Sequence, residues 1–387
     1  MRLIKKLPDP FLFQDGQRVV TSGDWQRRRE EIRETILNLQ YGTMPDAPQR
    51  VKTNTFDQVE QIDNGHTCQR LHFEFMPLQA QPEIIFDLAV KCYRPAANAV
   101  SERQAEIDGF DKDGLPTLIY VGDNQNLLAT LLDSGYMVIC YQNNQLEPME
   151  EGKPIVGPAR SAYQKLAQMA ELPSYSWGSI SVWAWGARRL LDYALTLPEV
   201  DAQRIMVSGH SRNGKTALLA GALDDRFALV NPAGSGCAGA ASYLSLGEDC
   251  EDLAALTSRQ RWWAWTHADF EQWAGRESEL PFDQHFLMGL VAPRPLLRTE
   301  GLGDDWANPE GTVVAFLATQ PIYDFLQVPD RNGIQIREGG HYQGQEDFEA
   351  LRLFADWQFF DLQPAQDFKD FPFELSEVTD YFDWQQP

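Results

Sequence analysis

Hydrophobic and polar positions follow two rhythms along the chain. Between Val51 and Tyr93 apolar and polar residues alternate, as in Gln69-Arg70-Leu71-His72-Phe73-Glu74-Phe75 and Ile84-Ile85-Phe86-Asp87-Leu88-Ala89-Val90. A period of two predicts antiparallel strands with one buried face. Before them, a charge-rich run from Asp24 to Gln40, ending near Tyr41-Gly42, predicts a helix in an N-terminal arm of about 50 residues. Ala96 to Gly114 is polar and reads as a surface loop.

From Thr117 onward short apolar runs alternate with helical patterns. Thr117–Val121 and Tyr136–Tyr141 predict strands around a helix from Leu127 to Ser134. The stretch Gln142 to Tyr175, broken by Pro and Gly, reads as a long functional loop or lid. A helix follows over Trp177–Thr196, then strands at Ile205–Val207, Ala228–Val230, Leu296–Thr299 and Gly333–Arg337. Helices are expected near Gly311–Leu326 and Glu346–Phe360. This βαβ rhythm predicts one largely parallel sheet with helices on both faces, and a single domain over residues 1–387.

Composition narrows the functional classes. With 43% hydrophobic and 23% charged residues, the 387-residue chain buries a substantial core. A formal charge of −23 disfavours nucleic acid and anionic membranes as partners, and an anionic substrate would need locally placed cations. No apolar run reaches membrane-spanning length. No export signal is apparent, so the sequence as written reads as cytoplasmic, or as secreted or periplasmic if a signal was removed. Cys68, Cys92, Cys140, Cys237 and Cys250 are scattered without CxxC spacing and read as reduced, mostly buried thiols. The six histidines form neither HxxxH nor HExxH, so a structural or catalytic transition metal is not expected.

The chemistry concentrates in Arg204–Ala217, RIMVSGHSRNGKTA, a β-branched run meeting Gly209-His210-Ser211 and then a helix-forming run. A strand, tight turn and helix with serine at the apex exposes its hydroxyl beside free backbone N–H groups. The pattern departs from Gly-x-Ser-x-Gly: Asn213 stands where the second glycine belongs, and Gly214 comes one later. Two later strands each end in a loop with matching chemistry, Gly303-Asp304-Asp305-Trp306 and Gly339-Gly340-His341. Ser211, then Asp304 or Asp305, then His341 is the chain order of α/β-hydrolases. Such a serine needs an imidazole base, and the imidazole needs a carboxylate to fix its tautomer.

Gly-His-Ser-Arg-Asn-Gly-Lys (209–215), with its flanks WAWGARRLLDYALTLPEVDAQRI and ALLAGALDDRFAL, resembles the glucuronoyl esterases of carbohydrate esterase family 15, especially the bacterial branch. Gly234–Ala240, Leu280–His285, Ala292–Leu296 and Asp304–Pro309 share the resemblance, and weaker matches reach Trp25–Gly42 and His341–Trp357. It implies a three-layer αβα hydrolase fold and hydrolysis of (4-O-methyl-)glucuronic acid esters without metal or cofactor. Ser211 then resembles the nucleophile, His341 the base and Arg212 the oxyanion stabiliser. Lys215 resembles a sugar-hydroxyl ligand and Trp306 a wall of the uronate pocket. Where many relatives carry the triad glutamate this chain has Gly234, so Asp304 matches best as the acid, with Asp305 and Glu300 as alternatives. A sugar-contacting glutamate of the family is replaced by Arg259-Gln260-Arg261-Trp262-Trp263, and Trp262, Trp263, Trp265 and Trp273 are candidates for a sugar-stacking platform. The alternatives to this activity are another carbohydrate or small-molecule esterase, or an inactive carbohydrate-binding relative. The expected partner is a glucuronate-ester carbohydrate, met by a monomer.

Overall fold

The computed structural model describes all residues except 112–113 and 154–155, together with all side chains in its strands and helices but that of residue 57. Its strands are β1 (Arg2–Leu3), β2 (Arg50–Gln61), β3 (Thr67–Met76), β4 (Phe86–Arg94), β5 (Leu115–Val121), β6 (Met137–Tyr141), β7 (Val200–His210), β8 (Leu229–Ala233), β9 (Ser245–Leu246), β10 (Leu296–Gly301) and β11 (Asn332–Arg337). Among the described residues nine of these form one sheet in the order β11-β10-β8-β7-β5-β6-β4-β3-β2, while β1 and β9 pair separately. The ladder is parallel from β11 to β6 and antiparallel from β6 through β4 and β3 to β2.

The period of two places the core. In β5, Ile119 and Val121 face one layer, with Val207 of β7 and the helices Ser179–Ala194 and Arg212–Leu223. Leu118 and Tyr120 face the other, with Met206, Leu297 and the helices Gln125–Leu132 and Gln345–Phe360. Because both faces of the central strands are buried, their runs are continuously apolar, whereas β3 and β4 alternate.

Two expected loops contain helices. Ala97–Glu106 is helical where a polar surface loop was expected. The stretch from Gln142 to Tyr175 is not an open lid: it holds a helix over Pro158–Gln168 that buries Ala159, Ala162, Tyr163 and Leu166. That spacing is the helical one, with proline at the first turn, and it lay inside a segment punctuated like a loop. The fully buried Glu147 anchors it, pairing with Arg160 at 2.6 Å and accepting the Gly157 N–H at 2.6 Å.

The first helix spans Ser22–Ile36, closed at its start by reciprocal bonds between Thr21 and Asp24. It ends in a wide π-turn over Leu37–Tyr41, so the expected end near Gly42 holds. Gly42 has φ +78°, and a Cβ there would meet the Ser176 carbonyl oxygen at 2.0 Å, which leaves glycine as the residue that fits. The arm is tied inward by Trp25, fully buried, and by the Tyr41 hydroxyl donating to the Ala238 carbonyl at 2.8 Å.

His285 links the arm to the C-terminal tail. Its Nε2 donates to the Pro8 carbonyl at 2.9 Å and its ring stacks on Trp384. Burial pushes its pKa down from 6.5 to about 3, and burial with the nearby His341 pushes that of His210 down to about 4. Both are neutral in the fold, while the unfolded chain protonates them below about pH 6.5. Their stabilisation is therefore complete above pH 6.5 and is lost as pH falls toward 3–4, at up to about 1.4 kcal/mol per pH unit for each. His285→Gln keeps an N–H donor without titrating. Urea midpoints measured from pH 7 to pH 4.5 are expected to fall less steeply in this variant than in the parent chain, and parallel slopes would refute the assignment.

Candidate active site

The nucleophile elbow is shaped by backbone crowding. Ser211 follows β7 directly and precedes the helix Arg212–Leu223, with φ 59° and ψ −125°, a strained conformation for a side chain with a Cβ. A Cβ at Gly209 would lie 2.5 Å from the Asn213 carbonyl oxygen, and one at Gly214 would lie 2.7 Å from that of Ala233. The close approach thus falls on position 214, not 213. Asn213 keeps a side chain, whose Oδ1 accepts from Asn143 Nδ2 at 2.7 Å. This is the physical reason for the displaced glycine.

Three loops at one end of the parallel strands bring the reactive groups together. The Ser211 hydroxyl donates to His341 Nε2 at 2.9 Å, and His341 Nδ1–H donates to Asp304 Oδ2 at 2.7 Å. Here the tautomer follows from the acceptor-only carboxylate. Asp304 is buried, and its Oδ1 accepts the Ala307 N–H at 3.2 Å, capping the short turn that carries Trp306. His341 stays partly exposed, with 38% of its side chain open to solvent. The alternative acids are placed elsewhere. Asp305 is exposed, and Glu300 is buried with neither carboxyl oxygen hydrogen-bonded among the described residues. Burial, then the neighbouring Asp304 charge, raises the Glu300 pKa far above the usual carboxylate range, so it stays neutral.

A side chain at Gly234 would be crowded. The glycine has φ +48°, and a Cβ on it would lie 3.0 Å from His210 Nε2 and 3.6 Å from Asp304 Oδ2. The His210 ring sits 4.7 Å from that of His341 and crowds the space through which a side chain at position 234 would run. Asp304, at the end of the neighbouring strand β10, reaches His341 Nδ1 directly.

Around the triad, Arg212 is half-buried and makes no ion pair among the described residues; its Nε has no acceptor. Lys215 does not face solvent. It is 3% exposed, and its ammonium donates to the carbonyls of Ser235 (2.8 Å) and Cys237 and to Glu251 Oε2 (3.1 Å). Three donors meet three acceptors, so a sugar hydroxyl would have to take over one of them. Glu251 escaped sequence reasoning, since nothing in Glu248-Asp249-Cys250-Glu251 distinguishes it from a solvated acidic run. Its N–H donates to the Trp306 carbonyl at 2.9 Å, joining the buried pair to the tryptophan.

Trp306 is 37% exposed, and Arg261 lies over its ring at 4.6 Å. Of the four tryptophans expected as a platform, Trp265 is buried, Trp262 and Trp273 are half-buried and pack on the core, Trp262 stacking on Trp265 at 5.1 Å, and Trp263 lies under Arg259. Arg259, which lies over Trp263, also pairs with Glu271 at the surface.

A family model described as "Glucuronyl esterase, fungi" matches residues 102–327. A 4-O-methyl-glucuronoyl methylesterase from Phanerochaete carnosa is 30% identical over 366 residues, covering 92% of this chain and 80% of the relative. A carbohydrate esterase from an unknown prokaryotic organism is 27% identical, covering 90% of this chain and 89% of its own. Among solved structures, a carbohydrate esterase family 15 glucuronoyl esterase from Caldicellulosiruptor kristjansonii superposes with a TM-score of 0.81 at 29% identity, covering 99% of this chain and 98% of that one. With an α/β-hydrolase sheet and a match that extends over most of its length, this chain belongs to the glucuronoyl esterase family of carboxylic ester hydrolases.

Proposed function

We propose that the chain hydrolyses esters of (4-O-methyl-)glucuronic acid, with Ser211, His341 and Asp304 as its catalytic triad. The observation that carries the reading is the unbroken hydrogen-bond chain from Ser211 Oγ through His341 to the buried Asp304. Ser211 Oγ attacks the ester carbonyl as His341 Nε2 takes its proton. The imidazolium then protonates the departing alcohol, leaving an acyl-enzyme that water, activated by the same histidine, cleaves. Arg212 places an unpaired positive charge and a helix N-terminal N–H beside the developing oxyanion. Trp306, Trp262 and Lys215 would flank the sugar.

The charge balance fits a turnover cycle. The scissile carboxyl is uncharged while esterified and becomes an anion on hydrolysis, so a chain of net charge −23 favours departure of the product. All three triad residues come from one copy, which supports action as a monomer, and we read the whole chain as one catalytic domain. The acidic balance also weighs against nucleic acid as a partner. Among the described residues no helix is long and apolar enough to cross a membrane.

The test pairs methyl 4-O-methylglucuronate with an acetylated sugar, with fluorophosphonate labelling in parallel. The expected result is turnover of the glucuronate ester, weak or no deacetylation, and a label on Ser211. Deacetylation as the faster reaction would move the assignment to another carbohydrate esterase, and absence of both turnover and label would leave a binding protein.

A further inference from the structure

A cavity away from Ser211 and His341 lies over the antiparallel end of the sheet. It measures about 490 Å³, and its floor is formed by the backbones of β3, β4 and β6 at Leu71, Val90 and Tyr141. The small Ala89 side chain leaves the middle of this face open, since every second residue of β4 points toward it. The β2–β3 register breaks between Thr55 and Val59, and this bulge brings Phe56 and Gln58 to the cavity edge. Bulges re-aim side chains in this way, often beside functional sites. Phe56 is 56% exposed although aromatic.

The remaining wall is polar and charge-balanced. Arg70 pairs with Glu60 at 3.1 Å and Lys91 with Asp123 at 2.5 Å. Gln145 is held in place by both backbone groups of Ala89, with its Oε1 accepting at 2.8 Å and its Nε2 donating at 3.3 Å. A flat ring, fixed amides and two neutralised ion pairs suit a ligand that presents C–H faces and hydroxyls but no charge. The cavity also abuts the elbow. Asn143, between the lining residues Gln142 and Gln145, donates to Asn213, two residues beyond Ser211. Asp123 follows Gly122, whose missing Cβ would lie 3.5 Å from the Asn213 side chain. In the sheet order, Trp306 and Asp304 follow β10 on one side of β7, and the cavity lies on the other.

We propose that this cavity binds a neutral, hydroxyl-rich oligosaccharide, with Phe56 as its stacking surface. Resting on the esterase reading, the occupant is the carbohydrate chain that carries the glucuronate, held on the flank of Ser211 opposite Trp306. Substrates would then be recognised at two places, the uronate and the chain.

Titration of the Ser211→Ala protein with xylohexaose and cellohexaose, followed by NMR or calorimetry, reads the site without turnover. Saturable binding of at least one is expected, weakened about fivefold by Phe56→Ala, the loss of one stacking contact. Gln58→Ala serves as a second variant that leaves the buried face of the sheet untouched. In otherwise intact enzyme, Phe56→Ala is expected to raise KM for an oligosaccharide-borne glucuronate ester by a similar factor while leaving kcat/KM for the small methyl ester unchanged. Binding of neither sugar, binding unaffected by both variants, or displacement by free glucuronate would overturn the proposal. If the small ester is not hydrolysed, the esterase reading fails, while the titration still reports on the cavity.

Discussion

Replacing Ser211 by alanine is expected to lower kcat on a methyl glucuronate ester by about 10⁶, the size seen when a triad serine is removed and only binding and oxyanion contacts remain. The effect is large because, among the described residues, no other nucleophile adjoins His341. Its Nε2 meets the Ser211 hydroxyl, and the adjacent His210 is a neutral, half-buried ring whose Nε2 has no partner among the described residues. The fold should persist, since the Ser211 N–H still donates to the Ala233 carbonyl at 2.9 Å. A glycine at this position carries a second expectation. With φ at 59°, Ser211 holds strain of about 1–3 kcal/mol that glycine does not incur. Ser211→Gly should therefore be as inactive as Ser211→Ala but unfold at a higher urea concentration. Turnover retained by Ser211→Ala would remove the covalent mechanism, and a less stable glycine variant would remove the strain argument.

Asp304→Asn is expected to reduce kcat by about 10⁴, against a change of no more than about twofold for Asp305→Asn at the exposed neighbouring position. Asp304 uses its two oxygens differently, Oδ1 for the Ala307 N–H and Oδ2 for His341 Nδ1–H. If asparagine keeps the turn capped through its oxygen, it presents NH₂ to the histidine. The imidazole must then carry its proton on Nε2, facing the serine as a donor when an acceptor is needed. Glu300→Gln exchanges one neutral buried group for another of the same shape, and kcat should barely move. Equal losses in Asp304→Asn and Asp305→Asn, measured as kcat at saturating ester, would show that the acid is misassigned.

Much of this was legible in the residues themselves. Local patterns predicted the central strands, because a β-branched run bounded by turn residues has few other places to go. Ser211 and His341 were legible because each stands in a turn after such a run, and the Ser…Asp…His order left two acidic neighbours to choose between. The helices at Ala97–Glu106 and Pro158–Gln168 were hidden by polar or Pro-punctuated surroundings; the second buries a four-residue face, while the first buries only Ala99 and so left almost no apolar pattern to read.

What the sequence by itself determined was the parallel-sheet architecture, the elbow with its displaced glycine, and the chain order of serine, aspartate and histidine. Those are properties of neighbours along the chain, set by backbone sterics and side-chain period. Only the tertiary structure decided that Asp304, and not Asp305 or Glu300, meets His341, because that depends on which carboxylate the turn after β10 directs across the gap. It also decided that Lys215 is enclosed with Glu251, and that Gly234 stands beside His210. Contacts between residues 20 to 130 positions apart arise from how three strand ends converge, and no local pattern encodes that convergence.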